Sequence, residues 1–319
     1  MAALSCVLSS FSDISLSLHT VISVHHSDIS LYSLSHYLFI STSLYLLIAF
    51  LVGYCVNRDL ILAGYTPTWL GTRLECHGLL SSTNDRAREL LDKFGPEAHG
   101  TVIFAEGQSS GRGRFGRAWD SPPNLSLSMS AALWARSPQD SLPLLPVAGS
   151  LAVLRALKET VDLAAGLKWP NDVLCGGKKI AGVLLESRWS GAKLEGLVLG
   201  IGANLRQKRE DFPQELREGA TSAFIESGRI LEDESFAAAL LRELEPLLGL
   251  GLENPAALLP SAAPHWVHRR GDLLNAAGDG GVFGGTFVEV ATDGALILED
   301  NGKRVAVRYG EARDVRRAP

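Results

Sequence analysis

From Gly111 to Pro123 the chain reads Gly111-Arg112-Gly113-Arg114-Phe115-Gly116-Arg117-Ala118-Trp119-Asp120-Ser121-Pro122-Pro123. Glycines in such a run let backbone N–H groups come close to an anion, and the arginines add charged, fork-shaped donors suited to phosphate or carboxylate. The plainer reading of a GRGR string is a solvated basic loop. What weighs against it here is the company the loop keeps. A Walker-type lysine is absent, but Lys168-Trp169-Pro170-Asn171-Asp172 and Lys178-Lys179-Ile180-Ala181-Gly182 follow at short range. Together these segments carry cations, two carboxylates and small turns, the groups needed to hold a phosphorylated reactant.

The elements that must position them can be read from periodicity and punctuation. Ser82 or Thr83 can cap a helix with Ala87, Leu90, Leu91 and Phe94 on its apolar face and Gly95 as its stop. A strand is expected at 101–105, and Leu125, Leu127, Met129, Ala131 and Leu133 alternate with mostly Ser and Ala as in a half-buried strand. Residues 144–161 read as a helix with Val147, Leu151, Leu154 and Leu157 on one side. An apolar run follows at 167–174, then strands at 180–186 and 194–205, with Cys175-Gly176-Gly177 as a hairpin turn. Helical spacing returns at Phe236, Leu240, Leu244 and Leu248, with Pro246 expected to kink or end that helix, and 253–264 reads as a linker. Short strands at 285–290, 295–299 and 304–309, joined by Asp293-Gly294 and Asn301-Gly302, suggest a small β-barrel.

With these elements in place, Ser82-Thr83-Asn84, Gln108, the Gly111–Trp119 segment, the two lysine segments and Gly200-Ile201-Gly202-Ala203-Asn204 resemble the biotin-protein ligases in order and approximate spacing. The resemblance covers about Trp69 to Arg317 and is to the monofunctional type. It implies an α+β fold: a catalytic core with a mixed sheet, related to lipoate ligases and class II aminoacyl-tRNA synthetases, over 66–262, then an SH3-like β-barrel over 263–319. The implied reaction uses ATP and Mg2+, the metal bound mainly through ATP, to make biotinyl-5'-AMP. Biotin then passes to a lysine of a carboxylase's biotin carboxyl carrier domain. One departure is that the family usually has a glycine soon after the Ser-Pro pair, where this chain runs Pro122-Pro123-Asn124.

Matched by position, Ser82, Thr83, Asn84 and Gln108 would line the biotin site, since a neutral cyclic urea needs donors and acceptors rather than full charge. The bland reading of Ser82 and Thr83 is a helix cap, and that of Gln108 an ordinary loop amide. Arg112, Gly113 and Arg114 would fold over biotin and the adenylate. Arg117, Trp119, Asn171 and Asn204 would serve the nucleotide, against the alternatives of a core tryptophan and a strand-end asparagine. Lys179 would reach the biotin carboxylate and the α-phosphate, where an ammonium stabilises developing charge, while Lys178 points away. Lys168 would sit near the phosphates. Asp172 is open between a base, an orienter and a magnesium ligand, or a plain turn carboxylate.

Composition narrows the remaining classes. Over the 319 residues the formal net charge is -5, so no broad basic field for nucleic acid exists. The four cysteines are scattered singly, without a CxxC pair, which argues against zinc ligation and a disulfide framework. Residues 1–65 differ from the rest: no Lys or Arg precedes Arg58, serine is abundant, and 38–56 is apolar over a membrane-spanning length. A signal peptide lacks its positive start here. The preferred reading is a disordered or mis-started extension on a cytoplasmic enzyme, with a membrane anchor as the alternative. A DNA-binding domain is not expected, because basic phosphate contacts are missing from this region. A homodimer is compatible with the resemblance, and a lipoate or octanoate ligase is the runner-up activity.

Overall fold

The computed structural model describes residues 56–134, 139–191, 193–278 and 281–316. In chain order these form α1 (Arg58–Gly64), β1 (Leu74–Leu80), α2 (Thr83–Phe94), β2 (Thr101–Gln108), β3 (Ser126–Leu133), α3 (Leu145–Val161), β4 (Gly166–Lys168), β5 (Asp172–Cys175), β6 (Lys178–Ser190), β7 (Lys193–Asn204), α4 (Ala223–Ser227) and α5 (Asp233–Glu253). A second set of strands closes the chain: β8 (Leu273–Gly278), β9 (Gly281–Val290), β10 (Leu296–Asp300), β11 (Lys303–Val307) and β12 (Gly310–Arg316).

The first seven strands make one mixed sheet in the order β1-β2-β3-β7-β6-β5-β4. Only β1 and β2 pair in parallel. Parallel neighbours need a crossover, and α2 supplies it. Ser82 caps α2 by accepting the Asp85 N–H at 3.4 Å, and Gly95, at φ 55°, ends it. Ala87, Leu90 and Leu91 of α2 are buried against Ile103, Ala132 and Val198 of the sheet. On the main core side α3 and α5 pack together, and burial extends nearly all round α3. That is wider than the one-sided stripe expected for it, because α3 lies between α5 and the strands.

Several sequence expectations change. The run at 167–174 is two short strands, β4 and β5, joined by the Trp169–Asn171 turn. α5 continues through Pro246. Proline removes one N–H and crowds the preceding turn, but the buried Leu244, Leu247 and Leu248 hold the helix on both sides of it. The expected linker at 253–264 is a series of short helical turns with Pro255, Leu258 and Ala262 buried. Residues 56–65, grouped by composition with the N-terminal extension, contribute Val56, Ile61 and Tyr65 to the core. The rest of the apolar stretch 38–56 lies outside the described residues. Among the described residues no helix is long and apolar enough to cross a membrane.

The last five strands form an antiparallel sheet in the order β11-β10-β9-β8-β12. The expected hairpin turns are present: Asn301 and Gly302 both have positive φ, as a two-residue hairpin turn demands. β8 and β12 went unrecognised, since Leu273–Gly278 and Gly310–Arg316 carry few β-branched residues. Leu274, Phe287, Leu296 and Val307 of this sheet join the same hydrophobic cluster as the seven-stranded sheet and its helices. Two polar ties reinforce the join: the Val267 N–H donates to Leu167 O at 2.9 Å, and the Trp169 indole donates to Gly294 O at 2.9 Å.

Candidate active site

Three adjacent strands give the mixed sheet a patch of small residues on one face. Register sets Ser130 opposite Gly200 and Ser128 opposite Gly202 between β3 and β7, and Gly182 opposite Gly202 between β6 and β7. With only glycines and short serine side chains there, the sheet forms the floor of a cavity of about 470 Å³. Its walls are the loop after β2, the β4–β5 turn, and the segment after β7. All fourteen site residues inferred from sequence line it, and Lys178 does not.

One end is a network of neutral hydrogen-bonding groups. Gln108 Oε1 accepts from the Thr83 N–H at 2.8 Å, and its Nε2 donates to Ser128 Oγ at 3.0 Å. Ser130 Oγ lies 2.7 Å from Thr83 Oγ1 and donates to Asn84 Oδ1 at 2.6 Å. Asn84 Nδ2 donates to Glu186 at 2.6 Å, which orients the amide. Ser82, Thr83 and Asn84 are all buried. The Ser-rich face of β3, expected to meet solvent, is therefore buried and polar: every residue of β3 is inaccessible. Gly200 is required beneath this network, since a Cβ there would stand 2.3 Å from Asn84 Oδ1.

The arginine loop closes on itself through Gly113 N–H to Arg117 O at 2.8 Å and Trp119 N–H to Gly111 O at 2.9 Å. Each arginine also has a protein partner. Arg112 makes a fork onto Asp85, both bonds 2.7 Å, and this hold keeps the Asp85 carboxyl below the usual carboxylate range. Arg114 donates to Gly310 O at 2.8 Å and to Asn171 Oδ1 at 3.4 Å; burial pushes its guanidinium down. Arg117 makes a fork onto Glu311, at 3.1 and 2.5 Å. The start of β12 thus holds the loop over the cavity.

The other end is cationic and aromatic. Lys179 Nζ lies 2.6 Å from Asp172 Oδ1 and 5.5 Å from the centre of the Trp119 ring. Its backbone is fixed on the far side by Gly219 O and the Thr221 N–H. The Trp119 indole lies over Gly202, where a Cβ would meet it at 2.4 Å, and its Nε1 is buried without a hydrogen-bond partner among the described residues. Asn171 Nδ2 donates to Val183 O at 2.5 Å, so that amide shapes the β4–β5 turn. Both ends of the Asn204 amide are committed, to Thr221 O and to Gln207 Nε2. Behind Lys168 lies the buried His268, whose imidazole is depressed to about 4 by burial and by the Lys168 charge. Among the described residues no three His, Cys, Asp or Glu side chains are grouped to hold a metal.

Residues 78–204 match the Biotin/lipoate A/B protein ligase family. A bifunctional ligase/repressor of Bacillus subtilis is 30% identical over 232 residues, covering 73% of this chain and 71% of the relative. This chain belongs to that family. A biotin--[acetyl-CoA-carboxylase] ligase of Mycobacterium tuberculosis is 36% identical over 174 residues, 52% of this chain and 62% of that protein. The Aquifex aeolicus biotin protein ligase solved with biotin and ATP is similar at 27% identity and a TM-score of 0.64, covering 77% of this chain and all of that one. The fold of this family member is accordingly the α+β core with a small C-terminal β-domain.

Sequence reasoning missed several residues that build the site: Asp85, Ser128, Ser130, Glu186, Gly310 and Glu311. Asp85 and Glu186 carried a usable signal, being carboxylates at helix and strand positions near the basic loop. Glu311 carried none, because 194 residues separate it from Arg117.

Proposed function

We propose that the chain is an ATP-dependent biotin ligase, forming biotinyl-5'-AMP and transferring the biotinyl group to a lysine of a biotin carrier domain, as in a carboxylase. The observation that carries this is the cavity's polarity: a neutral network of Thr83, Asn84, Gln108 and Ser128 at one end, and Lys179, Arg114 and Lys168 at the other. Biotin has a matching division, a neutral ureido ring at one end and a carboxylate at the other. The dithiolane of lipoate has no N–H or C=O to engage that network, which disfavours the runner-up.

In the first step a biotin carboxylate oxygen attacks the α-phosphorus of ATP, the bond to the β-phosphate oxygen breaks, and pyrophosphate leaves. Lys179 and Arg114 are placed to stabilise the charge that develops, and Lys168 to face the phosphates. Trp119 on its glycine floor would pack against the nucleotide. Asn171 and Asn204, whose amides are already bonded within the protein, serve by shaping its walls. Asp172 is the carboxylate nearest the reacting end; it would contribute to a magnesium ion, with most ligands coming from phosphate oxygens. In the second step an acceptor lysine amine attacks the acyl carbon, AMP leaves, and the amide forms with loss of a proton. The arginine loop, held by Gly310 and Glu311, would exclude water from the mixed anhydride between the steps.

We assign catalysis to residues 66–262, with 56–65 packed on them, and the loop-holding role to 263–319. We place the enzyme in the cytoplasm, which would supply both ATP and a carrier protein. The test is to incubate the protein with ATP and either biotin or lipoate and measure pyrophosphate release, then biotinylation of a carrier domain by mass spectrometry. Release with lipoate but not biotin would overturn the reading.

A further inference from the structure

A side-chain amide carries a donor and an acceptor on two ends of nearly equal shape, so what it offers a ligand depends on which end its neighbours claim. Asn84, buried at the neutral end of the cavity, is held by Ser130 and Glu186. The Ser130 hydroxyl lies 2.6 Å from Asn84 Oδ1, but a hydroxyl both donates and accepts and would serve either end of the amide. Gly200, beneath it, brings no side chain. The Glu186 carboxylate, 2.6 Å from Asn84 Nδ2, only accepts, and so distinguishes the two ends. It does so from outside, since Glu186 is not among the residues that line the cavity.

What remains for a ligand follows from the bonding capacity of the amide. With Nδ2 donating to Glu186 and Oδ1 accepting from Ser130, the amide keeps one N–H and one lone pair in a fixed order. The edge of a cyclic urea offers a carbonyl oxygen beside a ring N–H, the complement of that order. Glu186 is itself held: the same Oε2 lies 3.2 Å from Arg88 Nη2 and 3.5 Å from Arg112 Nη2. Both arginines also reach Asp85, Arg112 through its 2.7 Å fork and Arg88 at 3.3 Å. Removing the charge of Glu186 therefore leaves the arginine loop tied to α2.

We infer that Glu186 is a positioning residue: it fixes the direction of the Asn84 amide, and with it the preference of the cavity for a cyclic urea over a ring with the opposite order of donors and acceptors. This rests on the ligase reading above. Glu186 touches neither biotin nor ATP and acts through Asn84.

Glu186→Gln keeps the shape of the side chain but can present either an N–H or a C=O to Asn84. Its kinetics are measured by biotin-dependent ATP–pyrophosphate exchange. KM for biotin rises about tenfold, equivalent to about 1.4 kcal/mol, while kcat and KM for ATP hold. That split is expected because the ureido ring is remote from the reacting carboxylate and binds equally in ground and transition states. Calorimetry then compares biotin with 2-iminobiotin, its cyclic guanidine analogue, which carries nitrogen in place of the carbonyl oxygen. The preference for biotin over the analogue narrows by a similar factor, a change that a weakened fold would not produce. In an Asn84→Ala background Glu186→Gln adds nothing further to KM for biotin. An unchanged KM, an unchanged preference, or the same tenfold loss without Asn84 would each overturn the inference. Should Asn84→Ala not fold, the preference ratio decides alone. Absence of biotin-dependent exchange from the unaltered enzyme would refute the ligase reading itself.

Discussion

Replacing Gly202 by alanine tests whether the glycine floor sets the nucleotide end of the cavity. The added Cβ would lie 2.4 Å from both Cε2 and Nε1 of the Trp119 indole and 2.7 Å from Cζ2. Non-bonded carbon atoms settle about 3.5–4.0 Å apart, so the ring must retreat by roughly 1 Å. The backbone cannot easily follow. Trp119 is held by its N–H on Gly111 O at 2.9 Å, and a Cβ on Gly111 would already meet Trp119 O at 2.5 Å. Overpacking of this kind costs about 1–3 kcal/mol, and a displacement of about 1 Å at a reacting site costs about a hundredfold in rate. Gly202→Ala is expected to lose about a hundredfold in biotin-dependent ATP–pyrophosphate exchange and to unfold at lower urea concentration. Adding Trp119→Ala should return most of the stability, by removing the clash, without returning the exchange rate. Gly200→Ala offers the contrast: its Cβ would strike Asn84 Oδ1 at 2.3 Å, so its effect should fall on KM for biotin. If Gly202→Ala exchanged pyrophosphate and unfolded like the unaltered protein, the assignment of Trp119 and its floor would be wrong.

Lys179→Ala should lower adenylate formation by at least about a hundredfold, read as pyrophosphate exchange. Wild-type exchange would remove Lys179 from the chemistry. Glu311→Ala frees Arg117 from an exposed ion pair, so stability should change by less than about 1 kcal/mol, while biotinyl-5'-AMP escapes into solution faster. Mass spectrometry of the filtrate measures this escape, and an unchanged rate would show that the loop does not depend on β12. Glu106 is buried, and burial together with Asp233 pushes its carboxyl up to about 7. A raised folded-state value means the native protein binds the proton more tightly than the unfolded chain. Its contribution is therefore full below about pH 4.5 and is lost as pH rises through about 7. Glu106→Gln should flatten the decline in urea stability between those values, and an unchanged slope would refute the shift.

The sequence was most readable where local rules coincide with the fold. Ser82 and Gly95 bounded α2 because capping is a backbone property, and Asn301-Gly302 marked a hairpin because both residues take positive φ. It was least readable where polarity had to be interpreted. In β3, alternating serines look the same whether they face water or a polar ligand network, and only the structure shows Ser128 and Ser130 turned toward Gln108, Thr83 and Asn84. Pro246 misled for the opposite reason: its local cost is real, but the packing of α5 outweighs it. Arg117 and Glu311 could not be paired from sequence, since nothing local to either records the other.

The arrangement also explains why this site belongs on a sheet. A flat pleated surface places every second side chain on one face, so a cavity can be opened by shortening side chains at fixed positions without disturbing the hydrogen-bonded ladder. Ser130 opposite Gly200, and Ser128 and Gly182 both opposite Gly202, are those positions. Glycine in a strand costs conformational entropy and forfeits packing. That cost is tolerable here because β3 and β7 are flanked by strands on both edges and the other face of the sheet is covered by α3, with α5 packed behind it. The floor is rigid, and the parts that must admit a substrate and then a protein are confined to the loops above it. On the proposed mechanism, release of the arginine loop from Gly310 and Glu311 would expose the adenylate to an amine without altering where the acyl group lies.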